Sequence, residues 1–162
     1  SASALQQMGF QVLGWSRTRK ELPGVVSYAG VSELPEFLRG SRILVLLLPL
    51  TRETSQIMNA DRFAQLSQGS FLVNPGRGGL VLEKDLIAAL DSGRIAGAAL
   101  DVFEEEPLPS GHRFWHDVAV SITPHIASIT NPKMASVFVT SNIRRHQLGE
   151  IMTGLVDLEA YC

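Results

Sequence analysis

The sequence has 162 residues, of which 45% are hydrophobic and 19% are charged, and its formal net charge is −2 at pH 7. This length fits one domain with a real core, and the composition is that of a folded globular protein rather than a disordered one. The net charge offers no basic surface for nucleic acid. The longest apolar run, residues 43–50, is too short to span a bilayer and contains a proline, so we predict no membrane partner.

In chain order, strand and helix patterns alternate from the first residues onward. A short strand is predicted at 11–16, and a helix follows at 31–40. We expect Ser32 near the N-cap of that helix and Pro35 in its first turn. The next run, 42–48, is apolar on both faces, which is typical of a central strand in a parallel sheet.

The middle of the chain continues this alternation. One or two helical turns are predicted after residue 54, with a second helix start at Asn59 and an end at Gly69. Three more strands are predicted, at 70–74, 95–102 and 118–124.

Two further helices carry clear apolar faces. The first is followed by Gly93, a natural C′ residue, and its face is formed by Leu82, Leu86, Ile87 and Leu90. The second begins at Asn131 and Pro132, which suit the N-cap and N1 positions. We expect its buried side to contain Met134, Val137, Phe138 and Ile143.

Strands separated by helices predict an α/β fold built on a doubly wound parallel sheet with right-handed crossovers. Ligands of such sheets bind outside the carboxyl ends of the strands. Polar residues gather there, which is the first functional signal. These positions are Ser16 and Arg17, Pro49, 74–79, 101–106, and Pro124 with His125.

The segment NPGRGG, residues 74–79, lies between a strand and a helix, as a dinucleotide-binding turn does. Two details disfavour a phosphate loop. The third glycine position of that motif falls on Val81, and Pro75 lacks the N–H that a pyrophosphate would use. A glycine-rich turn with a solvated Arg77 is the other simple interpretation.

Arg77 is one of three chemically suited residues that follow different strands. A guanidinium holds a carboxylate through two hydrogen bonds and polarises a neighbouring carbonyl. A histidine such as His125 donates and recovers a proton near neutral pH, and a carboxylate such as Glu106 beside it fixes its tautomer. These are the parts needed to reduce a 2-keto acid to a 2-hydroxy acid with a hydride donor.

Four ordered motifs, LLPLTRET, NPGRGG, GAALDVFEEEPLP and ITPHIAS, resemble the D-isomer-specific 2-hydroxyacid dehydrogenases over nearly the whole chain. The segments GWSRTRK and PHIASIT are most similar to the glyoxylate/hydroxypyruvate reductases that use NADPH. The resemblance implies that Arg77 binds and polarises the substrate, that Glu106 pairs with the histidine, and that His125 donates the proton. It also implies cofactor contacts from Leu48, Pro49, Thr54, Asn74 and, at the nicotinamide end, Asp101.

The resemblance further implies a Rossmann-like nucleotide-binding domain at 1–145 and a tail at 146–162 that returns to the substrate domain. The family's glycine loop and first strand would precede Ser1. The chain starts in a helical pattern without methionine, and we expect it to begin partway through a larger protein. A homodimer is expected by resemblance. The single cysteine, Cys162, favours a reducing, cytoplasmic setting.

The first predicted strand ends without the Asp or Glu that binds the ribose hydroxyls of NAD. The residues present there could instead bind the 2′-phosphate of NADPH through charge-assisted hydrogen bonds, and they are Ser16, Arg17, Arg19 and Lys20. We therefore favour NADPH over NADH as the cofactor. A solvated basic turn is the simpler alternative.

Two other functions stay open. One is an NAD-dependent D-2-hydroxyacid or phosphoglycerate-type dehydrogenase, and the other is a non-catalytic, dinucleotide-sensing, corepressor-like module. His112 and His116 have the spacing of helical metal ligands, but their segment is expected to be a loop and no metal is predicted. For Trp115, a place close to the substrate site of its own subunit or of a neighbouring subunit stays open.

Overall fold

The computed structural model describes residues 1–128 and 130–156, in which helices and strands alternate. The strands in these residues are β1 Leu13–Ser16, β2 Val26–Ala29, β3 Ile43–Val45, β4 Ser70–Asn74, β5 Ile95–Leu100 and β6 Val120–Ile122. The α-helices are α1 Ala2–Gln7, α2 Gly30–Gly40, α3 Ala60–Gln65, α4 Glu83–Asp91 and α5 Pro132–Gln147. Two short 3₁₀ turns lie at Gly78–Leu80 and Arg113–Trp115.

All strand pairs are parallel, as the alternating pattern predicted. β1 pairs with β2, and the other strands form one sheet in the order β3-β4-β5-β6. The predicted parallel α/β fold is thus confirmed. Because β4, β5 and β6 run in the same direction, the residues after them meet at one edge of the sheet. This edge receives the segments that begin after Asn74, Leu100 and Ile122.

The core lies between the four-stranded sheet and its helices. Leu44, Leu72 and Leu100 are buried on the strands, and they pack in one cluster with Phe63 of α3 and Leu86 of α4. Burial of such side chains stabilises the fold by about 1.5–3 kcal/mol each. The predicted apolar face of α4 is confirmed, since Ile87 and Leu90 pack against the same cluster.

The N-cap and C′ residues in the sequence correctly predicted several helix ends. The Asn59 side chain accepts a hydrogen bond from the Arg62 N–H, and the Asn131 side chain accepts from the N–H groups of Lys133 and Met134. Gly93 has a φ of 68° and follows the C-cap of α4. The predicted end of α3 at Gly69 is wrong, because the helix ends at Gln65. The helical turns predicted after residue 54 are also wrong, since residues 52–56 form turns rather than helix.

α2 begins at Gly30, one residue before the predicted start, but the predicted N-cap near Ser32 is wrong. Its N-cap is Ala29, no side-chain cap bond is formed, and Pro35 lies inside the helix rather than in its first turn. The Glu33 carboxylate accepts the Ala29 N–H at 2.8 Å and pairs with the Arg19 guanidinium. This bond back to the N-cap stabilises a start that is earlier than Ser32.

Two predicted burial patterns are corrected. β3 is not buried on both faces: Leu44 is buried, whereas Ile43 is 51% and Val45 38% exposed. The reason is that the described residues leave this face of the sheet uncovered: Phe71, the neighbour of Ile43 on the interior strand β4, is 43% exposed as well. On α5, no described residue is buried, and the four expected core residues Met134, Val137, Phe138 and Ile143 are all more than half exposed.

The predicted domain boundary after residue 145 falls within the last turn of α5, and the division into domains stays a prediction. Part of the predicted tail, including Cys162, lies outside the described residues. A membrane-spanning helix would need greater length and apolarity than any helix in the described residues has.

Gly78 allows the loop after β4 to pack directly against the backbone of the segment after β5. A Cβ added to this residue would lie 1.8 Å from the carbonyl oxygen of Phe103 and 2.5 Å from the Glu104 nitrogen. Since both atoms belong to the backbone, no side-chain rotation could relieve the clash. Only glycine fits here without moving the segment after β5.

We expect Gly78→Ala to lower the free energy of unfolding by about 2 kcal/mol or more, because the new methyl group overlaps backbone atoms. Urea unfolding measures the change. Gly111→Ala is the matched control, since an added Cβ there meets nothing within 4 Å. Equal stability of the two variants would contradict the close contact at Gly78.

Candidate active site

His125 and Glu106 meet at the carboxyl edge of the sheet. His125 Nδ1 lies 2.7 Å from Glu106 Oε2, although the residues follow different strands. Both side chains are partly exposed to solvent. His125 has a φ of 54°, and its N–H donates to the carbonyl oxygen of Asp101 at 2.9 Å. A left-handed conformation is unusual outside glycine and is held by its surroundings.

The Glu106 carboxylate is fixed from two sides. One oxygen faces His125, and Oε1 accepts the Phe103 N–H at 3.0 Å. The hydrogen bond with His125 is the main cause that lowers the pKa of Glu106, and the Phe103 N–H and the positive charge of Arg77 add to it against partial burial. Glu106 is therefore ionised at neutral pH, and its negative charge faces the imidazole of His125.

Asp101 organises the turn that carries His125. Its buried carboxylate accepts hydrogen bonds from the Thr123 hydroxyl and, at 2.9 Å each, from the N–H groups of Ile126 and Ala127. Burial alone would raise the pKa of Asp101, but these hydrogen bonds and the nearby charge of His125 outweigh it and lower the pKa. In this structure, both carboxylate oxygens face the turn at 123–127.

Arg77 lies on the loop after β4, which the buried Asn74 holds together. Asn74 Oδ1 accepts the Gly76 N–H at 3.1 Å, and Nδ2 donates to the Arg77 carbonyl oxygen at 3.0 Å. The Arg77 side chain is exposed, and its Nη1 donates to the Gly76 carbonyl oxygen at 2.7 Å. Arg77, Glu106 and His125 follow the carboxyl ends of the parallel strands β4, β5 and β6, so all three lie at the same edge of the sheet.

The glycines of this loop lie in close contact with neighbouring segments of the chain. A Cβ on Gly76 would lie 2.9 Å from the Leu46 carbonyl oxygen, and one on Gly79 would lie 3.0 Å from the Leu50 side chain. Gly76 and Gly78 are required because their neighbours are backbone atoms, whereas the Leu50 side chain beside Gly79 can rotate away. The glycine spacing is thus explained without a pyrophosphate.

The basic turn after β1 is partly engaged within the protein. Ser16 Oγ donates to the Thr18 carbonyl oxygen at 2.7 Å. The Arg19 guanidinium donates to the Ser27 carbonyl oxygen and forms an ion pair with Glu33. A cavity of about 550 Å³ lies beside this turn, lined by Arg19, Lys20, Glu21, Leu22, Pro23, Val25 and Ser27. Arg17, which is exposed, and Ser16 do not line that cavity.

The remaining predicted cofactor residues are at the end of β3. Leu48 is half-buried against the core, and Pro49 is exposed. Thr54 Oγ1 donates to the Pro49 carbonyl oxygen at 2.6 Å and accepts the Thr51 N–H at 2.8 Å, so it closes the turn that follows the strand.

Sequence reasoning missed three residues that support the site: Thr123, Glu83 and His112. Thr123 binds a carboxylate 22 residues away, a contact that no local pattern shows. Glu83 accepts the Glu104 N–H, and His112 faces Glu83 rather than His116. In the part of the chain that is described, no three His, Cys, Asp or Glu residues group closely enough to hold a metal ion.

The comparisons with known proteins identify the family of the chain. Residues 1–127 match the family described as D-isomer specific 2-hydroxyacid dehydrogenase, NAD binding domain. The chain belongs to this family, and the resemblance seen in its motifs is confirmed.

Among curated proteins, the chain is 46% identical over 157 residues to glyoxylate/hydroxypyruvate reductase A of Yersinia enterocolitica, covering 97% of the chain and 50% of that protein. The chain spans about half the length of the curated relatives it matches.

Solved structures show the same similarity. A D-isomer specific 2-hydroxyacid dehydrogenase from Xanthobacter autotrophicus Py2, in complex with NADPH and MES, is 50% identical with a TM-score of 0.96, covering 99% of this chain and 66% of that one. An NADPH-dependent glyoxylate/hydroxypyruvate reductase from Sinorhizobium meliloti, in complex with NADP and sulfate, is 41% identical with a TM-score of 0.93, covering 98% and 52%.

Asp101→Asn is expected to lower the free energy of unfolding by about 1–3 kcal/mol at neutral pH, because an amide cannot accept all the hydrogen bonds of the carboxylate. A carboxyl group whose pKa is lowered by folding stabilises the protein above its unfolded pKa of about 3.9, and it loses that contribution as the pH falls through the folded value. The difference between wild type and variant should therefore shrink in acid below about pH 4.

Urea unfolding at a series of pH values measures this difference, with hydrogen exchange at Ile126 and Ala127 as a local probe. Glu53→Gln, at an exposed position in the turn at 52–56, is the matched control and should change neither quantity. A difference between wild type and Asp101→Asn that persists in acid would contradict the role of the charge.

Proposed function

We propose that this chain is the nucleotide-binding part of an NADPH-dependent reductase that converts glyoxylate and hydroxypyruvate to 2-hydroxy acids. The observation that carries the proposal is the 2.7 Å contact of His125 with Glu106 beside the charge of Arg77, in a chain of this family. The similarity to glyoxylate/hydroxypyruvate reductases supports the substrate class.

His125 is proposed as the proton donor. Because Nδ1 faces Glu106, Nε2 is the nitrogen left to hold a proton for the carbonyl oxygen of a 2-keto acid. Glu106 stabilises the protonated ring and fixes its orientation. A bound nicotinamide would supply the hydride that reduces the keto carbon.

Arg77 is proposed as the substrate-binding residue. Its exposed guanidinium is suited to hold the carboxylate of a 2-keto acid through two hydrogen bonds and to polarise the adjacent carbonyl. Polarisation favours the negative charge that develops on the carbonyl oxygen, which His125 then neutralises with its proton.

NADPH is proposed as the cofactor because β1 ends at Ser16 without a carboxylate, and three cations follow within the next four residues. The chemistry of this turn fits a 2′-phosphate, which Ser16, Arg17, Arg19 and Lys20 would hold. Arg19 would do so while sharing its charge with Glu33. The NADPH and NADP in the related structures support this choice. The other proposed cofactor contacts are Leu48, Pro49, Thr54, Asn74 and Asp101.

The wider setting is proposed from the family. Residues 1–145 would form the nucleotide-binding domain and 146–162 a tail toward a substrate domain, in a longer, homodimeric, cytoplasmic enzyme. The length of the relatives, about twice that of this chain, supports the longer protein. Enzymatic tests are therefore designed for the full-length protein, and we expect the 162-residue chain alone to be inactive.

Arg77→Ala and His125→Ala should each lower kcat/KM for glyoxylate and hydroxypyruvate by about 10²–10⁴-fold, because each removes a group that stabilises the transition state. NADPH oxidation followed at saturating cofactor measures the effect. The matched controls are Arg52→Ala and His116→Ala, which change exposed residues of the same types and should leave turnover unchanged.

Near-normal turnover in either active-site variant would refute the assignment of that residue. If the wild-type protein oxidises neither NADPH nor NADH with any 2-keto acid but still binds the dinucleotide, the corepressor-like alternative replaces the enzyme.

Arg17→Asp should weaken NADPH binding relative to NADH by about tenfold or more, because the new carboxylate repels a 2′-phosphate and favours ribose hydroxyls. Titration of the protein with each cofactor measures the ratio of dissociation constants. Arg39→Asp makes the same change of charge at the end of α2 and serves as the control. An unchanged cofactor preference in Arg17→Asp would refute the proposed phosphate site.

A further inference from the structure

One carboxylate connects the two segments that carry Arg77 and Glu106. Glu83 is the first residue of α4, just after the Arg77 loop. Its Oε1 accepts the Glu104 N–H at 2.9 Å, and its Oε2 lies 3.4 Å from His112 Nε2. Glu83 therefore contacts the segment after β5 on both sides of Glu106.

The contact with Glu104 follows from the backbone packing at Gly78. Gly78 lies against Phe103 and the Glu104 nitrogen so closely that no Cβ could be placed there. The Glu104 N–H is thereby brought to the start of α4, where Glu83 accepts it. Phe103, the residue before it, donates its N–H to Glu106 at 3.0 Å. Two consecutive N–H groups are thus bound by two carboxylates, one on each segment.

The contact with His112 provides the second attachment. His112 Nδ1 accepts the Phe114 N–H at 3.3 Å, so the proton of the neutral imidazole belongs on Nε2, toward Glu83. Phe114 is fully buried, which fixes this end of the segment to the core. The side chains of Glu83 and His112 are each only about one-fifth exposed, so water competes weakly for the contact.

We propose that Glu83 is a positioning residue that holds the Glu106 segment against the Arg77 loop. The inference rests on the proposed function, in which Glu106 and Arg77 act on the same reaction. Without this carboxylate, the segment would lose its hydrogen bond to the start of α4, and only more distant anchors would remain, at the buried Leu108 and at Arg113 paired with Asp91. Glu106 would then move relative to His125 and Arg77. Small displacements of this kind cost catalysis, since the reaction depends on sub-ångström placement of the reacting groups.

A purely local role at the helix end is the competing explanation. Asp85 is also an acidic residue in the first turn of α4, where a negative charge stabilises any helix. Its carboxylate accepts the Ala60 N–H at 2.8 Å, in a different segment of the chain. Asp85→Asn is therefore the matched control, because it removes a charge from the same helix end and leaves the contacts to Glu104 and His112 intact.

Two substitutions distinguish the effect of side-chain length at Glu83 from the effect of its negative charge. Glu83→Asp keeps the charge but shortens the side chain by one methylene group, so it withdraws the acceptor from Glu104. Glu83→Gln keeps an oxygen at full length and removes the charge that faces His112. Both residues are compatible with the first turn of a helix, so both variants should fold.

The first measurement is made by NMR on the full chain and needs no activity. In Glu83→Asp, hydrogen exchange of the Glu104 N–H should accelerate by about tenfold or more. The pKa of Glu106 should rise from its lowered value toward that of an ordinary Glu, because Glu106 moves away from His125 and Arg77. Glu83→Gln should stay close to wild type in both quantities, and so should Asp85→Asn.

The second measurement is steady-state kinetics of the full-length enzyme with glyoxylate. Glu83→Asp should lower kcat/KM by roughly ten- to a hundredfold, with an unchanged dissociation constant for NADPH. Glu83→Gln should keep most of the wild-type kcat/KM. The inference is overturned if Glu83→Asp leaves the Glu104 exchange and the Glu106 titration unchanged, or if Asp85→Asn shifts them equally. If the wild type reduces no keto acid, the proposed function fails, while the NMR comparison still decides whether Glu83 positions Glu106.

Discussion

The site depends on the Asp101 carboxylate at the end of β5. This buried group accepts two backbone N–H groups and one hydroxyl from the segment after β6, and its own carbonyl oxygen accepts the His125 N–H. A turn with a positive φ at His125 would relax without such partners. Because β5 and β6 are adjacent parallel strands, the sheet brings Asp101 to this turn, and Asp101 then determines where the imidazole lies.

Contacts to the backbone also fix the conformation of the loop that carries Arg77. The Asn74 side chain closes the loop on itself, and the glycines allow it to lie against Leu46 and Phe103. A motif that has the spacing of a phosphate loop is thus explained by packing, and its arginine is left exposed at the sheet edge. Glycine spacing alone does not distinguish these two uses, because both depend on close approach of the backbone.

The sequence correctly predicted the structural features that depend on neighbouring residues. The N-caps Asn59 and Asn131, the C′ residue Gly93 and the strand at 70–74 all lie where short patterns predicted them, since each depends on neighbouring residues. The positions of Arg77, Glu106 and His125 came from the rule that parallel strands present their carboxyl ends together, whereas Leu48 and Thr54 came from the resemblance to the family.

The sequence did not reveal which apolar faces are covered. Ile43 on β3 and Phe138 on α5 have core-like patterns but are exposed, because burial depends on a partner and not on the pattern. The contacts from Thr123 to Asp101 and from Glu83 to His112 join residues that are distant in sequence, and only the three-dimensional structure shows them.

The contact between His125 and Glu106 is too weak to fix the positions of these two side chains without support from other parts of the chain. Both side chains are partly exposed, and an exposed ion pair contributes only about 0–1 kcal/mol. Attraction of that size cannot fix two side chains against their rotational freedom and competing water. The geometry must therefore come from bonds that do not rely on the pair: the Phe103 N–H on Glu106 and the Asp101 contacts behind His125. The reactive groups can then stay accessible to a substrate while their spacing is set by buried backbone interactions.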